Sequence, residues 1–370
     1  MIKSKKNRMN KKILTVIGAR PQFIKASVIS RLIEKNFKNQ FTEVIVHSGQ
    51  HYDNNMSSIF FKDLKIKKPK YNLNIGSMNN SAQVGAIMTS LERIIRDEVP
   101  DLVLTYGDTN TTLAAALVAS KIPVKLAHIE AGLRSNRFGM PEEVNRIITD
   151  RLSQFLFCPT DSGFNNLKRE GIIKNVFVTG DIMLDSFNYV KSKSISTQFL
   201  KNNNILHDTY IFATIHRAEN VDNYETLKNI IESLNFLSNK KNIIFSIHPR
   251  TKKNIEKFDL KLSEKLKIID PQSYPTVVNL ISSSFGIITD SGGLQKEAYF
   301  AKKPCITFRD ETEWIETTKL GYNKLFPPAK LPEETKIILK TMSNMPKEFP
   351  SIFGNGKCGV RILEILQKLI

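Results

Sequence analysis

Long apolar runs are missing from this chain. No stretch approaches the ~20 residues that a membrane-spanning helix needs. The basic start, MIKSKKNRMNKK, leads into only the short run ILTVIG. A secretory signal carries a longer apolar core and a small-residue cleavage site, so the start reads as a basic tail ahead of a first strand. Cysteine is also scarce, with Cys158, Cys305 and Cys358 the three present. An odd number cannot all pair, and none sits in a C-x-x-C spacing. Neither structural disulfides nor a zinc site is expected, and a reducing cytoplasm is the expected location.

Acidic residues are the minority. Against 36 Asp and Glu stand 54 Lys and Arg, a formal charge of +18. An excess of that kind can mark a nucleic-acid binder. Here the lysines are spread along the whole chain, in loops such as KIKKPK and NKKN, and no basic helix with interleaved aromatics appears. Nucleic acid and membrane are therefore not expected as partners. The positive field suits an anionic small-molecule substrate.

What is present is a regular rhythm. A chain of 370 residues is long for one domain, and two of similar size are expected. Strand-like runs ILTVIG (13–18), TEVIVH (42–47), LVLTYG (102–107), VKLAHIE (124–130) and VFVTG (176–180) alternate with helical patterns over Ile24–Ile33, Val84–Ile95, Leu113–Ser120 and Val144–Phe155. The rhythm restarts at YIFATIH (210–216). IIFSIH (243–248), LKIID (266–270), GIITD (286–290) and CITF (305–308) continue it, with helices over Tyr224–Leu237, Thr276–Ser283, Leu294–Ala301 and Glu333–Met342. Such alternation predicts an α/β fold with two Rossmann-like, doubly wound parallel sheets. The first domain is expected over 1–185 and the second over 186–357, with a polar linker around Lys191–Asp208. A last helix, Arg361–Leu369 within 358–370, is expected to pack back on the first domain.

In open α/β sheets ligands bind beyond the C-terminal ends of the strands. The polar clusters of this chain fall at that address. Arg20 and Lys25 follow the first strand, Gln50 and His51 the second, Asp108 the third, and Glu130 and Arg134 the fourth. In the second half His216, Arg217, Glu219 and Asn220 follow one strand, His248 another, Ser291, Gly292 and Gly293 a third, and Arg309 a fourth. Eight clusters rich in Arg, His, Asp and Glu predict a lined cleft between the domains. The loop T-D-S-G-G places glycines at a helix start, where N–H groups and the helix dipole favour a phosphate. Glu297, one turn on, is spaced to reach a ribose diol. A capped helix start is the plainer reading of D-S-G-G alone. In P-E-E-V-N-R-I-I-T-D, Pro141 opens a helix and Glu142, Arg146 and Asp150 share one face. A surface ladder of ion pairs is the plainer reading there.

Together the motifs G-A-R-P-Q-F-I-K (18–25), S-G-Q-H (48–51), G-D-T-N-T-T (107–112), H-I-E-A-G-L-R-S (128–135), P-E-E-V-N-R (141–146), V-T-G-D (178–181), H-R-A-E-N (216–220), D-S-G-G-L-Q-K-E-A (290–298) and R-D-E-T-E-W (309–314) resemble the non-hydrolysing UDP-N-acetylglucosamine 2-epimerase family. The resemblance implies a glycosyltransferase-B-like pair of domains. It also implies a UDP-sugar substrate, no cofactor or metal, and a homodimer serving cell-surface polysaccharide synthesis. By motif, Asp108, Glu130, Glu142 and His216 are the catalytic candidates. Arg20, Lys25, Arg134, Arg146 and Arg217 are cations for the diphosphate or sugar, and Ser291, Gly292 and Glu297 match UDP-binding positions. Departures are Lys296 for a glutamate, T-E-W-I-E (312–316) for T-E-R-P-E and A-R-P-Q for T-R-P-E. They look more like the branch acting on UDP-2,3-diacetamido-2,3-dideoxy-glucuronate. A hydrolysing relative, a retaining glycosyltransferase and a silent nucleotide-sugar sensor are the competing readings.

Overall fold

Runs of Val, Ile, Leu and Phe bounded by turn residues form strands buried on both faces, and the segments between them form the covering helices. A computed structural model describes residues 10–49, 64–76, 78–136, 139–193, 200, 202 and 205–370. The chain divides into two units, Met1–Asn188 with Ser351–Ile370, and Tyr189–Pro350. Each has its own parallel sheet.

In the first unit the strands are β1 (Lys11–Ile17), β2 (Phe41–His47), β3 (Tyr71–Asn72), β4 (Leu102–Tyr106), β5 (Lys125–Ile129), β6 (Phe155–Cys158) and β7 (Val176–Val178). They lie in the order β3-β2-β1-β4-β5-β6-β7. In the second unit β8 (Tyr210–Thr214), β9 (Asn242–Ser246), β10 (Leu266–Ile269), β11 (Gly286–Thr289), β12 (Cys305–Thr307) and β13 (Asn323–Leu325) take the order β10-β9-β8-β11-β12-β13. Strand order reverses direction beside β1 in one sheet and beside β8 in the other. A crevice at the C-terminal strand ends is expected at those two places. Among the described residues no helix is long and apolar enough to cross a membrane.

The structure corrects several sequence-based boundaries. The helix expected over Val144–Phe155 ends at Leu152, and Phe155–Cys158 is β6. Ser153 leaves the helix in extended conformation, so two residues make the whole connection and no turn signal separates the two apolar patterns. The short edge strands β3 and β13 were not expected. Neither were the helices Asp161–Arg169, Ile182–Ser192 and Pro249–Lys257. The last starts where His248 Nδ1 caps the Arg250 N–H. The helix expected over Glu333–Met342 is a series of single turns from Pro328 to Ser343. All three cysteines are free and buried. Burial pushes the Cys305 thiol up to about 12 and raises those of Cys158 and Cys358 as well, so none is a ready nucleophile.

The C-terminal helix, Cys358–Leu369, packs in the first unit's core. Ile362, Leu363 and Leu366 join Phe23, Val28 and Ile29 of the helix Arg20–Asn36. A side chain at Gly359 would meet carbons of Val28 and Leu32 at 2.7 Å, so glycine sets how closely the two helices approach. The helix start is met by Asp185, whose two oxygens accept the N–H groups of Cys358 at 3.1 Å and Gly359 at 2.9 Å. Burial outweighs those bonds and pushes the Asp185 carboxyl up from the ordinary 3.8 to about 6.

The folded chain therefore holds this proton more tightly than the unfolded chain. The stability it contributes is full below about pH 4 and is lost as pH rises through about 6, an effect on the order of 2–3 kcal/mol. Asp185→Asn, which keeps the shape without titrating, is expected to flatten the fall in stability across that window. Urea unfolding at a series of pH values measures it. An unchanged slope would show that Asp185 titrates like an exposed carboxylate.

Candidate active site

In the first unit the chemistry-bearing groups follow neighbouring strands. Lys25 comes from the helix after β1, Asp108 from the turn after β4, and Glu130 from the end of β5. Lys25 Nζ forms a buried ion pair with Glu130 Oε2. Glu130 has a left-handed backbone, φ 77°, uncommon for a residue with a side chain. Gly107 makes the space beneath the pair: a Cβ there would stand 3.2 Å from both the Lys25 Nζ and the Glu130 Oε2. Asp108 is held by Arg146, whose Nε and terminal nitrogen lie 3.0 and 2.5 Å from Oδ2. The third nitrogen of Arg146 reaches Glu143 at 3.0 Å. Burial works against ionisation of Glu143, but N–H groups of Ser135 and Asn136, with the Ser135 hydroxyl and Arg146, outweigh it and lower the carboxyl. The loop at Ser135–Asn136 is thereby tied to the first turn of the helix Pro141–Leu152.

Behind these groups lies a buried polar network. His128 Nδ1 is 2.7 Å from Asp150 Oδ1, and its Nε2 is 2.7 Å from the Gly107 carbonyl oxygen. Asp150 Oδ2 accepts the Gly132 N–H at 3.0 Å and an Arg134 N–H at 2.7 Å. Arg134 also grips Glu170 with two nitrogens, at 2.7 and 2.8 Å. Burial disfavours the charge on Asp150, yet His128 and Arg134 lower its carboxyl.

In the second unit a fully buried Asp290 plays the anchoring part. It accepts the N–H of His216 at 3.0 Å, the N–H of Arg217 at 2.9 Å and the Asn220 amide at 3.1 Å. The loop after β8 is thus fixed to the end of β11, its sheet neighbour. The rings of His216 and His248 lie 5.7 Å apart. Burial, then the charges of His216 and Arg250, lower the His248 imidazole. Arg217 approaches Glu219 at 3.5 Å and Glu313 at 3.8 Å, while Arg309 bonds Glu313 at 2.9 Å.

Ser291 precedes the helix Gly292–Phe300, but its hydroxyl does not cap it, and no acidic residue stands in the first turn. A Cβ on Gly292 would collide with Glu313 Oε1, while Gly293 meets only Ser291 Oγ, at 3.8 Å. Glu297 is buried one turn on. Lys296 Nζ sits 4.1 Å from the centre of the Trp314 ring, a cation–π contact.

The expected residues thus divide. Arg134 is committed to Asp150 and Glu170, so it braces the Glu130 turn. The ladder on the helix Pro141–Leu152 does not form, since Arg146 turns to Asp108 and Glu143 and Asp150 to His128 and Arg134. Glu142 is half-buried, at the start of that helix. Arg20 begins its helix, half-buried. Gln50 and His51 lie outside the described residues. His128, Glu143, Glu170 and Glu313 were not singled out from sequence. A polar residue inside an apolar strand was the available signal for His128. Among the described residues no group of three or more His, Cys, Asp or Glu is arranged to hold a metal ion.

Comparison with known proteins shows the family of the chain. The sequence profile described as UDP-N-acetylglucosamine 2-epimerase matches residues 34–367. The chain belongs to the UDP-N-acetylglucosamine 2-epimerase family. It is similar to a UDP-N-acetylglucosamine 2-epimerase homolog of Methanococcus maripaludis, 45% identical over 97% of this chain and 100% of that one. It is also similar to the UDP-2,3-diacetamido-2,3-dideoxy-D-glucuronate 2-epimerase of Pseudomonas aeruginosa, 44% identical over 97% and 100%. Among solved structures, the UDP-GlcNAc 2-epimerase of Methanocaldococcus jannaschii in complex with UDP-GlcNAc and UDP superposes with a TM-score of 0.87. That protein is 44% identical, over 96% of this chain and 99% of the other.

For this family member the space at Gly107 is directly testable. Gly107→Ala forces a side chain into a left-handed position, φ 65°, against the Lys25–Glu130 pair, and is expected to cost about 1–2 kcal/mol. Gly85 stands within the helix Asn80–Glu98 with open space around it. There the same change is expected to stabilise by roughly 0.5–1 kcal/mol. Chemical denaturation of the two variants checks both signs.

Proposed function

We propose that this chain epimerises C2 of a UDP-linked N-acetylated sugar by eliminating UDP and adding it back. The observation that carries the reading is the pair of carboxylates, Asp108 and Glu130, at the C-terminal ends of adjacent parallel strands in a chain of this family. Each is held by its own cation, Arg146 and Lys25. A base takes the C2 proton while the C1–O bond breaks and the electrons leave with UDP. The enzyme then holds a C1–C2 unsaturated sugar and free UDP. Re-addition of UDP to C1, with a proton delivered to the opposite face of C2, gives the epimer. Such a path needs acid/base groups near both faces of C2 and cations or helix-end dipoles for the diphosphate. Asp108, Glu130, Glu142 and His216 are the groups assigned to the first task. Arg217, Arg309 and the Gly292–Gly293 helix start are assigned to the second, and Glu297 to the ribose.

The substrate favoured by the comparisons is UDP-N-acetylglucosamine. The diacetamido-glucuronate nucleotide is the second reading, supported by Lys296 and the T-E-W-I-E segment. A homodimer in the cytoplasm supplying surface-polysaccharide precursors completes the proposal.

UDP is expected to bind through the helix start after Asp290. Glu297→Ala is expected to weaken UDP binding by roughly 1.5–3 kcal/mol, the range for a charge-assisted hydrogen bond. Calorimetry with unchanged affinity would remove Glu297 from the site. For the chemistry, both UDP-sugars are offered in deuterium oxide with no nicotinamide or metal added. Product is expected to carry deuterium at C2. Asp108→Asn, Glu130→Gln and Glu142→Gln are each expected to slow turnover by ~10²–10⁴-fold while still binding UDP. Product without C2 label, or full activity in all three variants, contradicts the mechanism.

A further inference from the structure

We propose that His128 is a positioning residue, a double donor that locks the Asp108 turn and the Glu130 turn to one ring; this rests on the reading of those two carboxylates as reacting groups. The ring is fully buried. Its Nε2 faces the Gly107 carbonyl oxygen at 2.7 Å. A carbonyl only accepts, so Nε2 carries a hydrogen. Its Nδ1 faces Asp150 Oδ1 at 2.7 Å. The other oxygen of Asp150 already takes the Gly132 N–H and an Arg134 N–H. With the Arg134 guanidinium 2.7 Å from Oδ2, Asp150 is a carboxylate, which also only accepts. Nδ1 therefore carries a hydrogen too. A ring with one hydrogen would set lone pair against lone pair at this distance.

What the ring holds gives the proposal its content. His128 and Gly132 flank Glu130 on either side, and Asp150 is bonded to both, through the ring of one and the N–H of the other. The N–H groups of Glu130 and Ala131 converge on the Phe157 carbonyl, at 3.0 and 3.1 Å. The left-handed backbone of Glu130 is over-determined in this way, as a strained residue at a reacting position must be. On its other edge the ring grips Gly107, the residue before Asp108. Lys25 and Arg134 are the cations on either flank, and Glu170 holds Arg134 in place. Two turns from two strands are set by one side chain that touches neither carboxylate.

His128→Phe keeps a ring and removes both donors. With the fold verified by circular dichroism and thermal unfolding, kcat is expected to fall by ~10²-fold, the scale of a small misplacement of reacting groups. KM and UDP affinity are expected to stay within about threefold, since a positioning loss falls on kcat. His128→Gln, which donates to one side only, is expected to recover part of the loss. A folded His128→Phe with unchanged kcat overturns the proposal, as does a loss that follows the unfolded fraction alone. A readout that needs neither a variant of this residue nor turnover is ¹⁵N-histidine NMR of the unaltered protein. The His128 signal is assigned by replacing the other five histidines in turn. Hydrogens on both ring nitrogens, protected from exchange, are expected. A ring bearing one hydrogen overturns the double donor. If the unaltered protein turns over no UDP-sugar, the epimerase reading fails, while the NMR result still decides this one.

Discussion

A carboxylate shut away from water must be met by donors, because leaving it unmet costs more than any packing around it returns. Among the described residues, one such carboxylate in each unit fixes a strand-end turn. Asp150 and Asp290 are both fully buried, and each is satisfied by groups at the end of a sheet strand and in the segment that follows it. Asp150 takes the ring of His128, the N–H of Gly132 and the guanidinium of Arg134. Asp290 takes the N–H groups of His216 and Arg217 and the amide of Asn220. Removing one partner from a buried charged set costs about 3–5 kcal/mol, so the loops are not free to wander. The turns that carry Glu130 and His216 are each tied to a buried acid, Asp150 and Asp290 respectively.

The same economy of space explains the glycines at these turns. Gly132 has φ 80°, and a Cβ there would strike the Gly163 carbonyl. That contact lets the helix Asp161–Arg169 come close under the Glu130 turn. Gly107 gives room to the Lys25–Glu130 pair. Gly292 lets Glu313 lie against the helix start, where it also meets Arg309. At Gly132 the missing side chain permits a close backbone approach, and at Gly107 and Gly292 it permits a charged contact that a larger residue would exclude.

How much of this could be read beforehand follows from range. Strand ends in a parallel sheet are local features, so the polar clusters at Asp108, Glu130, His216 and Ser291 were legible where they stand. The strand β6 was not, because F-L-F-C follows a helix with no punctuation and its periodicity fits either element. The pairings were less legible still. Helical spacing correctly put Glu142, Arg146 and Asp150 on one face, yet the structure sends Arg146 to Asp108 and Asp150 to His128, partners far away in sequence. By motif Arg134 is a cation for the diphosphate or the sugar, and in the structure it is held by internal partners. Glu170, which engages it bidentately, sits beyond two helices and a strand, and nothing in the motif H-I-E-A-G-L-R-S announces it.

Those pairings also sort the cations by what it costs to redirect them. Arg134 spends its nitrogens on two carboxylates and a carbonyl, at 2.7–2.8 Å. Pulling it toward an incoming diphosphate would strip a buried Asp150 of a donor. Arg146 is similarly bound, to Asp108 and Glu143. Arg217 is different: its approaches to Glu219 and Glu313 are 3.5 and 3.8 Å, too long for strong bonds. Its charge is balanced without being spent. A diphosphate that displaces such a loose pairing gains short bonds and breaks none. Of Arg134, Arg146 and Arg217, only Arg217 keeps its pairs longer than 3.0 Å, so it is the one of the three that can be redirected at least cost.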